Sequence, residues 1–412
     1  MTRPIAPDLP TSLTPTGRTV GDGTSDARKG GAYFPWGAED GLELPQHRGL
    51  RFTGESPNQP PRWTVAAKRR TLSVLSRFGI LDAIRDSRWR QERLLILAYH
   101  SVSLSDEHQW SGQYSMPPAQ FEARLRTLRD GGYNVISLDE GVRRLRERTL
   151  PPRSVVITFD DGLYDFSAQA LPLLQKYGFP ATVYFTSYYA EKVEPIFGLL
   201  CSYFLWRGRE SHGIREAVGL RGDVGEWDLS TELGRARAHT ALLKTAEHYS
   251  AAERAELLAR LASGAGIDFN DFQRSRVLSL MSRDEIAALA AQGVDVQLHT
   301  HRHRMPEDRD LFLREIEENR AFVEPLRQSR ARHFCYPSGE YSDQFCDWLE
   351  RSDIVSATTC DPGLATARTE PLLLPRVVDT SSVSEQDFVG WLTGASAFFL
   401  PRKASAHLGR AR

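Results

Sequence analysis

The sequence predicts an α/β protein built on a largely parallel sheet or barrel, and three observations carry that prediction. Short strand-like runs recur along the 412 residues. Most of them alternate with segments of helical periodicity, the rhythm of repeated βα units. Unusual polar residues gather directly behind several of the strands, where βα proteins build their sites.

Taken in order, residues 1–62 are rich in Pro, Gly, Thr and Ser and hold no sustained period, which predicts a flexible N-terminal tail. Residues 63–92 place Val65, Leu72, Leu75, Phe78 and Leu81 at helical spacings among Lys68, Arg69, Arg70 and Arg77. This predicts a basic amphipathic helix or pair, packed on the main domain or in peripheral contact with an anionic membrane surface through residues 63–90. The α/β rhythm starts at "RLLILAYHSV" and defines a domain over 93–400, followed by a tail at 401–412. Strands are expected at Leu94–Tyr99, Asn134–Ser137, Ser154–Phe159, Ala181–Phe185, Val294–Leu298, His333–Tyr336 and Ile354–Thr358, with a last one in "LPRVV". Helices are expected at Pro117–Asp130, Tyr164–Tyr177, Arg283–Gln292 and Leu311–Leu326, with Gly131, Gly178 and Gly293 as left-handed caps. Between about 188 and 281 the strand rhythm lapses into a helical insertion, and insertions beside a site shape access to it.

Composition narrows the function classes. A hydrophobic fraction of 41% and a charged fraction of 25% describe an ordinary globular chain. Lys+Arg 52 against Asp+Glu 53 gives no global field for nucleic acid, so binding must come from local sites. Cys201, Cys335, Cys346 and Cys360 form no C-x-x-C pair and read as buried thiols. No apolar run approaches the ~20 residues of a membrane span and the first residues lack a signal-peptide core, so the expected location is cytoplasmic, or peripheral at the inner membrane face. The oligomeric state leaves no mark in the sequence.

Three strand ends carry chemistry. "VVITFDDG" ends a buried run on Asp160 and Asp161; a helix cap accounts for one aspartate but not for both. "VDVQLHTHRH" sets His299, His301 and His303 behind another strand, and imidazoles with a carboxylate are metal-ligand chemistry. If this segment turns helically, His299 and His303 share a face and His301 points away; if it continues as strand, all three share one. "RHFCYPSGEYSD" turns tightly at Pro337 and Gly339, leaving backbone N–H groups of the 336–339 turn to aim at an oxyanion. Other metal-hydrolase patterns fit worse: H-E-x-x-H needs Glu where Thr300 stands, and H-x-H-x-D-H needs Asp where His303 stands. An H-x-H after the first barrel strand, as in amidohydrolases, falls too early, and a two-histidine Fe(II) oxygenase belongs on a jelly roll.

"TFDDG" at 158–162 followed by "HTHRH" at 299–303 resembles the first two motifs of the polysaccharide deacetylase family, the NodB-homology carbohydrate esterases. The Tyr-Pro-x-Gly third motif and the opening "YHSV" resemble the exopolysaccharide-type subgroup, and the similarity spans roughly residues 93–380. The resemblance implies a distorted (β/α)7-type barrel and a hydrolase that removes acetyl groups from an N-acetylated sugar in a polysaccharide, oligosaccharide or lipid-linked glycan. It implies Asp160 as general base and Asp161, His299 and His303 as ligands of a divalent metal, Zn2+ first, with Co2+, Ni2+ or Mn2+ as substitutes. His301 falls on a variable position of the motif, which favours the helical turn. Tyr336, Pro337, Ser338 and Gly339 become the oxyanion and substrate-binding turn. Cys335 stands where many members carry an arginine, so Arg376 in "LLLPRVV" is expected to orient Asp160, and His100 to act in proton transfer. The D-x-x-x-W and L-x-H motifs of the family are not recognisable, so no residue is marked as general acid by them. The alternatives are an amide or ester hydrolase acting on another small acylated substrate and a non-catalytic carbohydrate-binding protein; a glycosyltransferase would need D-x-D rather than D-D-G.

Overall fold

The computed structural model describes residues 62–192, 195–211, 213–217, 227–327 and 329–400; the expected tail at 401–412 and all of the expected tail at 1–62 but Arg62, which begins the first helix, lie outside the described residues. Among the described residues ten strands follow one another: β1 Leu95–Tyr99, β2 Ser101–Val102, β3 Ser115–Met116, β4 Asn134–Val135, β5 Ser154–Phe159, β6 Thr182–Phe185, β7 Asp295–Leu298, β8 His333–Cys335, β9 Ser356–Thr358 and β10 Val377–Val378. The main sheet runs β10-β1-β5-β6-β7-β8-β9, with β4 beside β5 and every pairing parallel. All six residues of β5 are buried, as expected for a central strand covered on both faces.

The sheet curls, and one segment bridges its two edges. Leu374 N–H donates to Ala357 O at 2.9 Å beside β9, and three residues later Val377 pairs with Leu97 of β1. Arg376 lies in that seam, fully buried. This irregular closure is the distortion of the barrel.

Strand alternation then sorts side chains into two layers. Val155, Ile157 and Phe159 of β5 join Leu95, Leu97 and Tyr99 of β1 in the outer core under the surrounding helices. Val156 and Ile96 face the other way, packing with Tyr184, Cys335 and Leu374. The helix Leu138–Glu147 closes that inner cluster with Leu138, Val142 and Leu145; its arginine-rich sequence conceals a one-sided apolar stripe. Period two therefore puts Asp160, the next residue in phase with Val156 and Thr158, on the inner side.

Two expectations require correction. The helix expected over Tyr164–Tyr177 is a π segment, Phe166–Ala170, followed by an α-helix, Leu171–Tyr177; Pro172 has no N–H for the ladder, and a wider turn absorbs the loss. Gly131 has φ −78, and the left-handed conformation falls on Gly132 at φ 64, whereas Gly178 and Gly293 have φ 67 and 85.

The segment between β6 and β7 is helical, from Tyr188–Lys192 through Phe269–Ser275, and has its own core around Phe204, Leu258 and Leu261. At the other end, α1 (Arg62–Arg77) and α2 (Ile80–Asp86) pack Leu72 and Leu81 against Ala395, while Lys68 and Arg69 pair with Asp387 at 3.2 and 2.6 Å. No helix of the described residues is long and apolar enough to cross a membrane.

Candidate active site

The two aspartates part company through backbone geometry. Asp160 continues the strand, its N–H donating to Tyr99 O at 2.9 Å. Asp161 and Gly162 then adopt left-handed φ values of 71 and 86, so the chain swings sideways within two residues. Asp tolerates this conformation better than most residues. Gly162 is obligatory for a second reason: a Cβ there would stand 2.0 Å from the Phe185 ring. Adjacent carboxylates thus meet different partners.

Asp160 is buried and clamped by Arg376, whose Nη1 and Nη2 donate to Oδ1 and Oδ2, each at 2.7 Å. Arg376 is itself held by Thr359 O at 2.9 Å through Nε. Burial pushes the Asp160 carboxyl up, but the guanidinium, helped by His100 and His299, more than offsets it and holds the group below its ordinary range. His100 Nε2 lies 3.9 Å from Asp160 Oδ2, and its side chain is 21% exposed against 3% for the aspartate, so it marks the way in. Cys335 Sγ, 3.0 Å from Arg376 Nη2, accepts from the same guanidinium.

Asp161 faces the histidines. Its Oδ1 lies 3.4 Å from Nε2 of both His299 and His303. His299 Nδ1 is 2.8 Å from Cys335 O, which turns Nε2 toward the carboxylate, and His299 N–H donates to Asn319 Oδ1 at 2.9 Å. The expected helical turn is not what unites the histidines: Thr300 and His303 have φ 60 and 54, and these two left-handed residues fold the loop back on itself. His301 leaves the group, as its variable position in the motif implied. Its Nδ1 meets Ser187 Oγ at 2.8 Å, fastening the loop to the start of the helical insertion.

Does this donor set suit a divalent cation? Asp161 Oδ1 is buried and has no hydrogen-bond partner, an expensive state for a carboxylate unless something positive meets it. One carboxylate oxygen and two imidazole nitrogens stand within 4.8 Å of one another. Ligands about 2.1 Å from a tetrahedral ion are separated by about 3.4 Å, the spacing seen here. Burial pushes His303 down to about 3 although Asp161 opposes it, so its imidazole is neutral and able to ligate. Around His299 the balance differs: burial pulls it down, but Cys335, Asp161 and Asp160 raise it well above the ordinary histidine range. The pocket thus calls for positive charge at that position. A second group, Asp160, His299 and Cys335, is also tight enough for an ion, but Arg376 already fills it with a cation bonded to both oxygens and the sulfur. The first set fits a divalent metal.

The third expected element is only partly gathered in. Tyr336 turns its ring into the outer core beside Phe334, and its hydroxyl meets Cys346 Sγ at 3.5 Å, so its side chain does not line the cluster. Gly339 N–H donates to Tyr336 O at 2.9 Å and Glu340 N–H to Pro337 O at 3.1 Å, closing the turn on itself. Pro337 has no N–H, which leaves Ser338, at φ 57, as the donor that an oxyanion role requires.

Sequence reasoning missed Tyr114, Asp165 and Asn319. Tyr114 OH donates to Asp161 Oδ2 at 2.8 Å. Asp165 accepts from Ser101 Oγ at 2.6 Å and Val102 N–H at 3.2 Å, and burial pushes it up to about 8 against these bonds. The one available signal was the spacing of Asp165, four residues beyond Asp161.

The family model for polysaccharide deacetylases matches residues 147–355, just over half of the chain. YxkH of Bacillus subtilis (strain 168) is 37% identical over 93 residues, covering 22% of this chain and 31% of that protein. The poly-beta-1,6-N-acetyl-D-glucosamine N-deacetylases of Escherichia coli (strain K12) and Staphylococcus aureus (strain MSSA476) are both 28% identical, over 95 and 125 residues. The match covers 23% and 27% of this chain but only 14% and 43% of those two relatives, so less than half of either is represented. Among solved structures, the Streptococcus pyogenes deacetylase PplD in complex with acetate superposes with a TM-score of 0.48 at 19% identity, covering 72% of this chain and 96% of that one. The family match runs from just before β5 to just before β9 and takes in both the aspartate pair and the histidine loop; on that span the chain belongs to the polysaccharide deacetylase family.

Proposed function

We propose that the chain is a metal-dependent hydrolase that removes acetyl groups from an N-acetylated sugar in a polysaccharide, oligosaccharide or lipid-linked glycan. The observation that carries this reading is the division of labour between Asp160 and Asp161: one is clamped by Arg376, and the other presents an orphaned oxygen to two histidines. Asp161, His299 and His303 would hold the ion, Zn2+ first, with Co2+, Ni2+ or Mn2+ as substitutes. Bound there, it supplies positive charge that lowers the pKa of an attacking water and polarises the acyl carbonyl.

The remaining work belongs to the chain. Asp160, ionised and fixed by two charge-assisted hydrogen bonds, accepts the proton that the water loses. Ser338 N–H would be the donor to the oxygen that gains charge as the carbonyl carbon becomes tetrahedral. His100, the partly exposed neighbour of Asp160, delivers a proton to the departing nitrogen, so that one amide and one water yield acetate and a free amine. The named activities of the E. coli and S. aureus relatives make poly-β-1,6-N-acetylglucosamine the first substrate to try. Acetate release from its oligosaccharides tests the reading; release from O-acetyl esters alone would replace it with an esterase.

We also propose a peripheral contact with an anionic membrane surface. It is supported by the outward face of the N-terminal helices, where Phe78 is 76% exposed, Val74 51% and Ile80 41%, next to exposed Arg70 and Arg77. Apolar side chains enter the interface while arginines meet lipid headgroups, about 1 kcal/mol for each charge near the surface. At an inner membrane face this contact would bring the site to lipid-linked glycans. Co-sedimentation with phosphatidylglycerol vesicles is expected to fall about tenfold in Phe78→Ser, in line with the loss of one buried aromatic side chain. Equal sedimentation of both proteins, or equal binding to phosphatidylcholine vesicles, would sink it.

A further inference from the structure

We infer that Tyr114 is a positioning residue for the metal centre: by holding one oxygen of Asp161 it keeps the other aimed between His299 and His303. The inference rests on the reading of Asp161 as a metal-holding carboxylate. The two oxygens of this side chain have different surroundings. Oδ2 accepts from Tyr114 OH at 2.8 Å, whereas Oδ1 has no hydrogen-bond partner and stands 3.4 Å from both imidazole Nε2 atoms. A carboxylate whose second oxygen is unheld can rotate and lose its aim, and partners of this kind set the orientation of ligands in metal sites.

Tyr114 comes from the excursion between β1 and the helix Pro118–Asp130, outside the span of the family match at 147–355. The excursion is built to hold it still. On one side β2 and β3 pair, Ser101 and Ser115 hydroxyls meet at 2.9 Å, and Ser101 Oγ and Val102 N–H both bond Asp165. Asp165 sits four residues past Asp161, so a single short segment fixes the metal-holding carboxylate and the anchor of its partner. On the other side Trp110 packs between Tyr114 and Tyr203 at 6.5 and 5.6 Å, and Tyr203 OH donates to Asp106 at 2.5 Å. The hydroxyl therefore arrives on a frame clamped from the barrel and from the helical insertion.

The test separates the hydroxyl from the ring, which also packs against His100 at 5.2 Å. Zn2+ affinity is measured by competition with a chromophoric chelator, and the visible spectrum is recorded after loading with Co2+. Tyr114→Phe is expected to bind Zn2+ about 10–100-fold more weakly and to shift the Co2+ bands. Its metal-free unfolding midpoint should stay within about 4 °C of wild type. A folded Tyr114→Phe with wild-type Zn2+ affinity and Co2+ spectrum overturns the inference. If Tyr114→Phe does not fold, Ser101→Ala, which loosens the Asp165 anchor and spares the phenol, is read the same way: weaker Zn2+ binding supports the positioning role and unchanged affinity overturns it. A wild-type chain that binds no Zn2+ removes the metal reading itself, an outcome distinct from failure of the Tyr114 role.

Discussion

Asp160→Asn is expected to lower kcat for acetate release by about 10²–10⁴-fold, the range that a general base contributes, with metal content unchanged. The amide keeps the size of the carboxylate and can still accept from Arg376, so the barrel interior keeps its shape. What disappears is the basic oxygen. Metal is retained because Asp161, His299 and His303, not Asp160, form the set with the orphaned carboxylate oxygen. Acetate release and metal content measured on one preparation check both halves. Loss of metal would move Asp160 into the ligand set; retained turnover would remove it from the chemistry.

The second large effect belongs to Arg376. Arg376→Met is expected to destabilise the fold by about 3–5 kcal/mol, because it strips a buried carboxylate of its cation. Catalysis should suffer through the same group. With the guanidinium gone, burial outweighs the smaller pull of His100 and His299 and drives the titration of Asp160 upward, so the fraction ionised near neutral pH falls and the rate profile shifts to higher pH. Denaturant unfolding and a pH–rate profile read these two consequences separately. The double variant Asp160→Asn/Arg376→Met should recover much of the lost stability, since neither charge is then left alone. An Arg376→Met protein with wild-type stability and turnover would show that the ion pair has no bearing on the base.

How much of this could be read from sequence follows the physics of each element. The strand Ser154–Phe159 was legible to the residue, because a buried β-branched run ended by Asp-Asp-Gly has one reading. The gathering of Asp160, Asp161, His299 and His303 at strand ends was likewise visible in the motifs. The helix Leu138–Glu147 was not, since its arginines and Gly141 dilute a stripe that only the closed barrel reveals. For the histidine loop, the spacing leaves turn and strand open and the variable position of His301 in the motif favours the helical turn. Two left-handed residues achieve the same meeting by another path, and sequence does not encode φ at Thr300 or His303. Tyr114 had no signal at all: its role depends on where a 101–116 excursion lands, which is decided by Asp165 and by the helical insertion rather than by local pattern.

Hydrolysis of N-acetyl groups with a metal held by Asp161, His299 and His303 is the reaction proposed for this chain. Its most direct test is metal content and acetate release from N-acetylglucosamine oligosaccharides, measured on wild type and His299→Ala before and after chelation and reloading with Zn2+. One divalent ion per wild-type chain is expected, with activity lost on chelation and regained with Zn2+, and neither metal nor activity in His299→Ala. Acetate release by metal-free wild type, or full metal content in His299→Ala, would contradict it.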